Sequence, residues 1–259
     1  MLQAQRFAFI GSGAMGEAMI KGLITQAALP PQQIIASDTR PERGVELAQK
    51  YGVQHTTDNL VAVNGATIIV LSVKPQVLHD VLKQLAGHVA PEALVLSIVA
   101  GARTEVITNL LRHNAVARSM PNTPAQIGLG MTVWTCPEAM SQLHRDQAKA
   151  VFSSIGEEVF VNDERYLDMA TALSGTGPAY VFLFMEAMVD AGVHMGFSRN
   201  IAEQLVYQTV RGSVEYARQA GRHLATHRLL LGDQADPHRL LLPARPRRRL
   251  LALQFRRHR

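Results

Sequence analysis

The chain has 259 residues, 47% of them hydrophobic, 18% charged and 5% aromatic, with one cysteine and a formal net charge of +5. That describes a soluble globular protein of one or two domains, long enough to bury a core. The single Cys136 rules out a disulfide framework within the chain and favours a reducing compartment, hence an intracellular enzyme over a secreted module.

The charge is uneven. Residues 222–259 hold ten arginines and two acids, which leaves 16 basic and 19 acidic residues in 1–221, a net charge of −3. All the basicity lies in the tail, so the pI of 9.7 marks no nucleic-acid footprint on the body. The apolar stretches 67–73 and 94–100 fall far short of the roughly 20 residues a membrane span requires, and the N-terminus holds too short an apolar run for a signal peptide. A cytoplasmic protein without a membrane partner is expected.

In chain order, residues 6–10 form a continuous apolar run, the pattern of a strand covered on both faces in a parallel sheet. A glycine-rich turn follows. The helix after it places Met15, Met19 and Leu23 on one face, with Glu17 and Lys21 as an i,i+4 ion pair on another. Pro30 and Pro31 break the chain before a second apolar run at 34–36. The alternation continues with helices at 43–50, 77–85, 105–111 and 142–154 and strands at 67–73, 94–99, 115–120, 132–135 and 159–161. Alternating strands and helices imply βαβ units and a parallel sheet.

From residue 164 the strand signals stop. Thr176 or Gly177 is a plausible N-cap with Pro178 as first helical residue, opening a helix to about Gly192 that is apolar almost all round. Such a helix must be buried, in a core or between subunits. A second helix starts near Ser198 or Asn200, where Asn-Ile-Ala-Glu resembles a capping box, and Gly221 suits its C-terminal cap. The fold class is α/β: an N-terminal doubly wound, mostly parallel Rossmann domain over 1–162, then helices over 163–223.

Gly11-Ser12-Gly13-Ala14-Met15-Gly16 is GxGxxG, directly after a strand and directly before a helix. The first glycine permits the tight turn, the second lets backbone approach a pyrophosphate, and the third brings helix close to strand. After the second strand, Asp38 favours the free 2′-hydroxyl of NAD, whereas Thr39 and Arg40 suit the 2′-phosphate of NADP. The Asp can point away while Arg binds phosphate, so the balance leans to NADP. Ser72-Val73-Lys74-Pro75 closes another strand, where open α/β sheets place ligands; Pro75 could equally just start the next helix. Met120-Pro-Asn122-Thr-Pro124 is a proline-fixed loop, a plain turn as readily as a site. The ten histidines show no HExxH, no metal site is expected, and His55, His79, His88 and His194 read as surface or packing residues.

Phe9-Ile-Gly-Ser-Gly-Ala-Met-Gly16, Ser72-Val-Lys-Pro-Gln76, Ser97-Ile-Val-Ala-Gly101, Arg118-Ser-Met-Pro-Asn-Thr-Pro124 and Ala172-Leu-Ser-Gly-Thr-Gly-Pro-Ala-Tyr180 together resemble the pyrroline-5-carboxylate reductase family, over roughly residues 6–223. The resemblance implies an NADPH-preferring enzyme, with NADH as an alternative donor, that reduces the C=N bond of 1-pyrroline-5-carboxylate to L-proline, the last step of proline biosynthesis. It also implies a helical domain that dimerises, making a homodimer or higher homo-oligomer with sites completed across subunits. It places the phosphate loop at Ile10, Gly11, Ser12, Gly13, Ala14 and Met15, Asn59 at the adenosine ribose, and Ser72, Val73, Lys74 and Pro75 beside the nicotinamide. Met120, Asn122, Ser174, Gly175 and Thr176 (through Gly177) would lie near the substrate. No single catalytic side chain is assigned.

The resemblance ends abruptly. After Gly221-Arg-His223 the family continues into a helix bearing a Ser-Pro-Gly-Gly-Thr-Thr-like segment that holds the substrate carboxylate and faces the ring nitrogen; here 224–259 is a Leu- and Arg-rich tail. The C-terminal domain therefore reads as truncated or replaced at its end. An out-of-frame translation, a basic appendage and a divergent helix all account for that composition. Two other functions stand beside the reductase. One is a non-catalytic NADP-binding protein whose tail recruits polyanions. The other is a β-hydroxyacid dehydrogenase, which needs a catalytic lysine in its second domain, whereas 163–221 contain none.

Overall fold

Four-residue apolar runs become the centre of the sheet. The computed structural model describes residues 2–221; every reading placed on the tail lies outside the described residues. The strands are β1 (Phe7–Ile10), β2 (Ile34–Ser37), β3 (Gln54–Thr56), β4 (Ile68–Leu71), β5 (Leu94–Ser97), β6 (Val116–Met120), β7 (Gly130–Thr135) and β8 (Gly156–Phe160). All residues of β1, β4 and β5 are buried, as strands covered on both faces must be.

The sheet runs in the order β3-β2-β1-β4-β5-β6-β7-β8, and all its pairs are parallel except β6 with β7. Helices α1 (Ala14–Thr25), α2 (Pro41–Tyr51), α3 (Asn59–Val63), α4 (Pro75–Leu85), α5 (Thr104–Leu111) and α6 (Gln142–Ser153) supply the crossovers. Alternate residues of β1 feed opposite cores. Phe7 and Phe9 pack with Met19, Leu23, Leu47 and Phe152 on one face, while Ala8 and Ile10 pack with Leu78, Leu82, Ile107 and Leu111 on the other. The strand order reverses between β1 and β4, which opens a crevice at their carboxyl ends, where doubly wound sheets bind ligands.

Beyond the sheet lie α7 (Arg165–Ala170), a π-helical turn (Thr171–Gly175), α8 (Gly177–His194) and α9 (Arg199–Ala220). The chain divides by its contacts into two compact units, Met1–Leu183 and Phe184 onward. Within the second unit Val189, Ala202 and Val206 form a small core, Arg199 pairs with Asp190 at 2.8 Å, and a Cβ on Gly192 would lie 3.0 Å from that of Ala202. Gly192 thus lets two helical segments approach closely.

Several local expectations change. Glu17 does not pair with Lys21: it takes Arg43, Lys50 and Tyr51, while Lys21 donates to the Gln126 carbonyl. Tertiary partners outcompete a helix-surface pair worth a few tenths of a kcal/mol. Asn200 caps nothing, because α9 already starts at Arg199 with Ser198 as its N-cap. α8 starts at Gly177, directly after a bend at Thr176, where the helix was expected to open, and together with α7 and the π turn before it makes a stretch of 30 residues over 165–194. That stretch is long and apolar enough to cross a membrane by length and composition, unlike the shorter stretches 67–73 and 94–100. Among the described residues its apolar surface is left uncovered: Tyr180, Phe182, Leu183 and Phe184 are all exposed. The strand expected at 159–161 begins three residues earlier, at Gly156, and β3, α3 and α7 were too short to show periodicity.

Candidate cofactor and substrate site

The GxGxxG turn lies in the crevice between β1 and β4, and its three glycines have different surroundings. Gly11 has φ +85°, and a Cβ there would sit 2.8 Å from the Ser72 carbonyl oxygen. A Cβ on Gly16 would lie 3.0 Å from Ser72 Oγ and 3.1 Å from the Gly11 carbonyl oxygen. Both positions are closed by the chain itself. Gly13 has φ −64° and is the N-cap of α1, with no side chain capping the helix; a Cβ there would meet nothing within 4 Å. The chain's own packing gives no reason for a glycine at 13. A ligand does, and the N-terminus of a twelve-residue helix supplies amides suited to a pyrophosphate.

The crevice walls are laced together. The Gly11 amide donates to the Ser37 carbonyl and the Ser72 amide to the Ile10 carbonyl, both at 2.9 Å, and Ser72 Oγ donates to the Gly11 carbonyl. Ile10, Ser37 and Ser72 therefore end their strands in fixed register. Lys74 is exposed as the N-cap of α4, and Pro75 is that helix's first residue. Met15 is partly buried against the core on the α1 side.

At the end of β2, Asp38 Oδ2 accepts from the Ser12 amide (3.3 Å) and hydroxyl (3.2 Å), and Oδ1 accepts from the Arg40 amide (3.1 Å) and Nε (3.2 Å). Burial pushes the Asp38 carboxyl up, but the hydrogen bonds from Arg40 and Ser12 outweigh it and hold the carboxyl below its ordinary value. The Arg40 side chain remains 65% exposed. Asn59 Oδ1 accepts from Ser37 Oγ at 2.7 Å, and its amide donates to Gln84 Oε1 at 2.9 Å, so it borders the same end of β2. Beneath the loop, Arg43 Nε donates to the Ser12 carbonyl at 2.8 Å and its Nη2 meets Glu17 at 2.5 Å. Burial raises Glu17, yet Lys50, Arg43 and Tyr51 together bring its pKa down to about 2.

A second cluster forms where β6 ends. Asn122 Nδ2 donates to the Ser174 carbonyl at 3.0 Å while its Oδ1 accepts from the Met131 amide at 2.9 Å. A Cβ on Gly175 would lie 2.7 Å from Met120 Cε. The structure thus brings Met120, Asn122, Ser174 and Gly175 into contact. Ser174 Oγ donates to the Ala170 carbonyl (3.1 Å) and Thr176 Oγ1 to the Thr171 carbonyl (2.8 Å). β4, β5 and β6 are parallel neighbours, so this cluster shares the carboxyl edge of the sheet with the glycine turn.

Sequence reasoning assigned no role to two residues here. Arg118, buried on β6, pairs with Glu164 at 3.1 Å and Asp168 at 3.3 Å. Burial raises the Glu164 carboxyl, but the hydrogen bonds from Thr104 and Arg118 hold it below its ordinary value. An arginine inside an apolar strand was the visible signal for the first; nothing local marks Glu164. Among the described residues no group of three or more His, Cys, Asp or Glu side chains could hold a metal ion, and His55, His79, His88 and His194 are exposed.

A doubly wound sheet with a glycine turn open to a ligand at its switch point defines a dinucleotide-dependent oxidoreductase fold. A family model described as NADP oxidoreductase, coenzyme F420-dependent, matches residues 6–101, and one described as pyrroline-5-carboxylate reductase dimerisation matches 164–230. The chain is 40% identical over 216 residues to a pyrroline-5-carboxylate reductase of Synechocystis, covering 83% of this chain and 80% of that protein. It therefore belongs to the pyrroline-5-carboxylate reductase family. Among solved structures, the reductase of Coxiella burnetii superposes with a TM-score of 0.81 at 30% identity, covering 88% of this chain and 84% of that one. The Plasmodium falciparum pyrroline carboxylate reductase with NADP bound gives 0.75 at 25% identity, covering 92% and 93%.

Proposed function

We propose that the chain reduces 1-pyrroline-5-carboxylate to L-proline with NADPH. The observation that carries this is the open approach at Gly13 above an otherwise closed turn, in a chain of this family. NADPH, when bound, supplies the hydride. Gly11 to Met15 bind its pyrophosphate, Arg40 and Asn59 border its adenosine ribose, and Ser72 to Pro75 border its nicotinamide.

Hydride adds to the imine carbon and the ring nitrogen ends as an amine, so one proton is taken up for each NADPH oxidised. A protonated imine accepts hydride far more readily, and its N–H needs an acceptor. The Ser174 and Thr176 hydroxyls already donate to helix carbonyls, which leaves their lone pairs as acceptors of the required polarity. Asn122 holds the turn that carries them. We take 1–162 as the dinucleotide domain and 163–223 as the helical dimerisation and substrate domain, with the exposed apolar surface of α8 covered by a second copy. A lone, buried Cys136 suits a cytoplasmic home.

The test is NADPH consumption with 1-pyrroline-5-carboxylate, on this chain and on one whose reading frame is changed after about residue 222 to restore a Ser-Pro-Gly-Gly-Thr segment. Both should bind NADPH, and the restored chain should oxidise it. A restored chain that binds NADPH without turnover would sink the reading.

A further inference from the structure

Arg118 is a buried charge in the first unit. It is 4% exposed, its two Nη atoms meet Glu164 and Asp168, and its Nε is buried without a partner. The Nε donor is sealed from solvent and so cannot reach a substrate carboxylate directly. Buried ion pairs are a weak source of stability, and replacing one with well-packed apolar groups is often neutral or better. What the network fixes in place is therefore the more informative property.

Glu164 accepts from Arg118 and also from the amide and hydroxyl of Thr104, both at 2.7 Å. One carboxylate thus joins β6, the start of α5 and the residue preceding α7. From there α7 runs without interruption into the π turn Thr171–Gly175. A π turn is a rare register that tends to occur at functional sites. The far end of this one is held from the same strand, by Asn122 on the Ser174 carbonyl and Met120 against Gly175.

We infer that Arg118 is a positioning residue of the reductase: with Glu164 it clamps the entry to the Thr171–Gly175 π turn, as Asn122 clamps its exit, and the two clamps set where Ser174 and Thr176 present their hydroxyls. That those hydroxyls face an imine rests on the proposed function; the clamp does not.

Amide exchange on the full chain, with NADPH titration in parallel, separates the two. In Arg118→Met and in Glu164→Gln, exchange over 171–177 should rise by about ten-fold, while exchange in β1 and β4 and the NADPH dissociation constant stay within about two-fold. Arg118→Lys, which keeps the charge, should recover part of the protection. In the frame-restored chain, Arg118→Met should lower kcat while leaving KM for NADPH unchanged, because a misplacement near 1 Å costs up to about a hundred-fold in rate. Unchanged exchange over 171–177 in both Arg118→Met and Glu164→Gln overturns the inference. So does an equal rise across β5 and β6, which would make Arg118 a folding residue only; if Arg118→Met fails to fold, Arg118→Lys and Glu164→Gln decide. Should the restored parent chain fail to turn over while the exchange pattern holds, the proposed function falls and the clamp stands.

Discussion

Asp38 accepts both the amide and the hydroxyl of Ser12, which ties the glycine turn to the end of β2. The carboxylate that sequence alone offers as a ribose ligand is already committed on both oxygens, to Ser12 and to Arg40. Arg40, anchored through Nε and 65% exposed, keeps its guanidinium edge available to a 2′-phosphate. Arg40→Ala should weaken NADPH binding by about ten-fold while changing NADH binding less than about two-fold, read by fluorescence titration of both cofactors. Equal losses for the two would assign Arg40 to loop order instead.

Gly11 and Gly13 lie two residues apart and should respond in opposite ways to the same substitution. Gly11→Ala forces a Cβ into a left-handed conformation and against the Ser72 carbonyl, and should cost at least about 1–3 kcal/mol of stability. Gly13→Ala meets no neighbour at an ordinary φ and should leave the fold unchanged or stabilise it by about 0.4–1 kcal/mol. Its cofactor affinity should nonetheless fall by more than about ten-fold, since the methyl occupies the space a pyrophosphate needs. Urea melts with and without NADPH distinguish these outcomes.

Glu17 links stability to pH. Its folded pKa of about 2 lies below the ordinary 4.5, held there by Lys50, Arg43 and Tyr51 against the opposing effect of burial. A depressed carboxylate contributes stability that is fully present above its unfolded pKa and lost as pH falls through the folded one. Glu17→Gln should therefore lower stability by about 1–2 kcal/mol at neutral pH once solvent screening of these partly exposed pairs is allowed for, and the gap to the parent should shrink between pH 4.5 and 2. Denaturant melts across that range check it; a gap independent of pH would mean that lost packing, not charge, is responsible.

The parts of the fold legible in the sequence were those with strong, local signals. Phe7–Ile10 and Ile68–Leu71 are apolar at every position, and Leu94–Ser97 at all but the last, because both faces are covered, and the turn between Ile10 and Ala14 has a fixed glycine spacing. What stayed hidden depends on distant partners. Gln54–Thr56 is a strand because β2 lies beside it, although two of its three residues are exposed. Glu164 matters because Thr104 and Arg118 converge on it from elements 60 and 46 residues away. The π turn has no compositional signature at all. In the second unit the helices were legible, but their exposure was not, because an all-round apolar helix reads the same whether its cover is its own chain or another.

That cover can be tested on α8. Phe182 and Leu183 are 62% and 67% exposed in the single chain, and they lie in the region matched by the family's dimerisation model. Burying such a side chain contributes about 1.5–3 kcal/mol, and a two-fold axis counts each residue twice. Replacing both by Ser should therefore weaken self-association by several orders of magnitude, and sedimentation equilibrium should show the mass falling toward that of one chain. NADPH affinity should persist, because the glycine turn belongs to the sheet. An unchanged mass would place the interface elsewhere. Parent protein that stays a single chain in solution but pellets with lipid vesicles, lost on the double substitution, would instead make the 165–194 helical run a membrane-seeking surface.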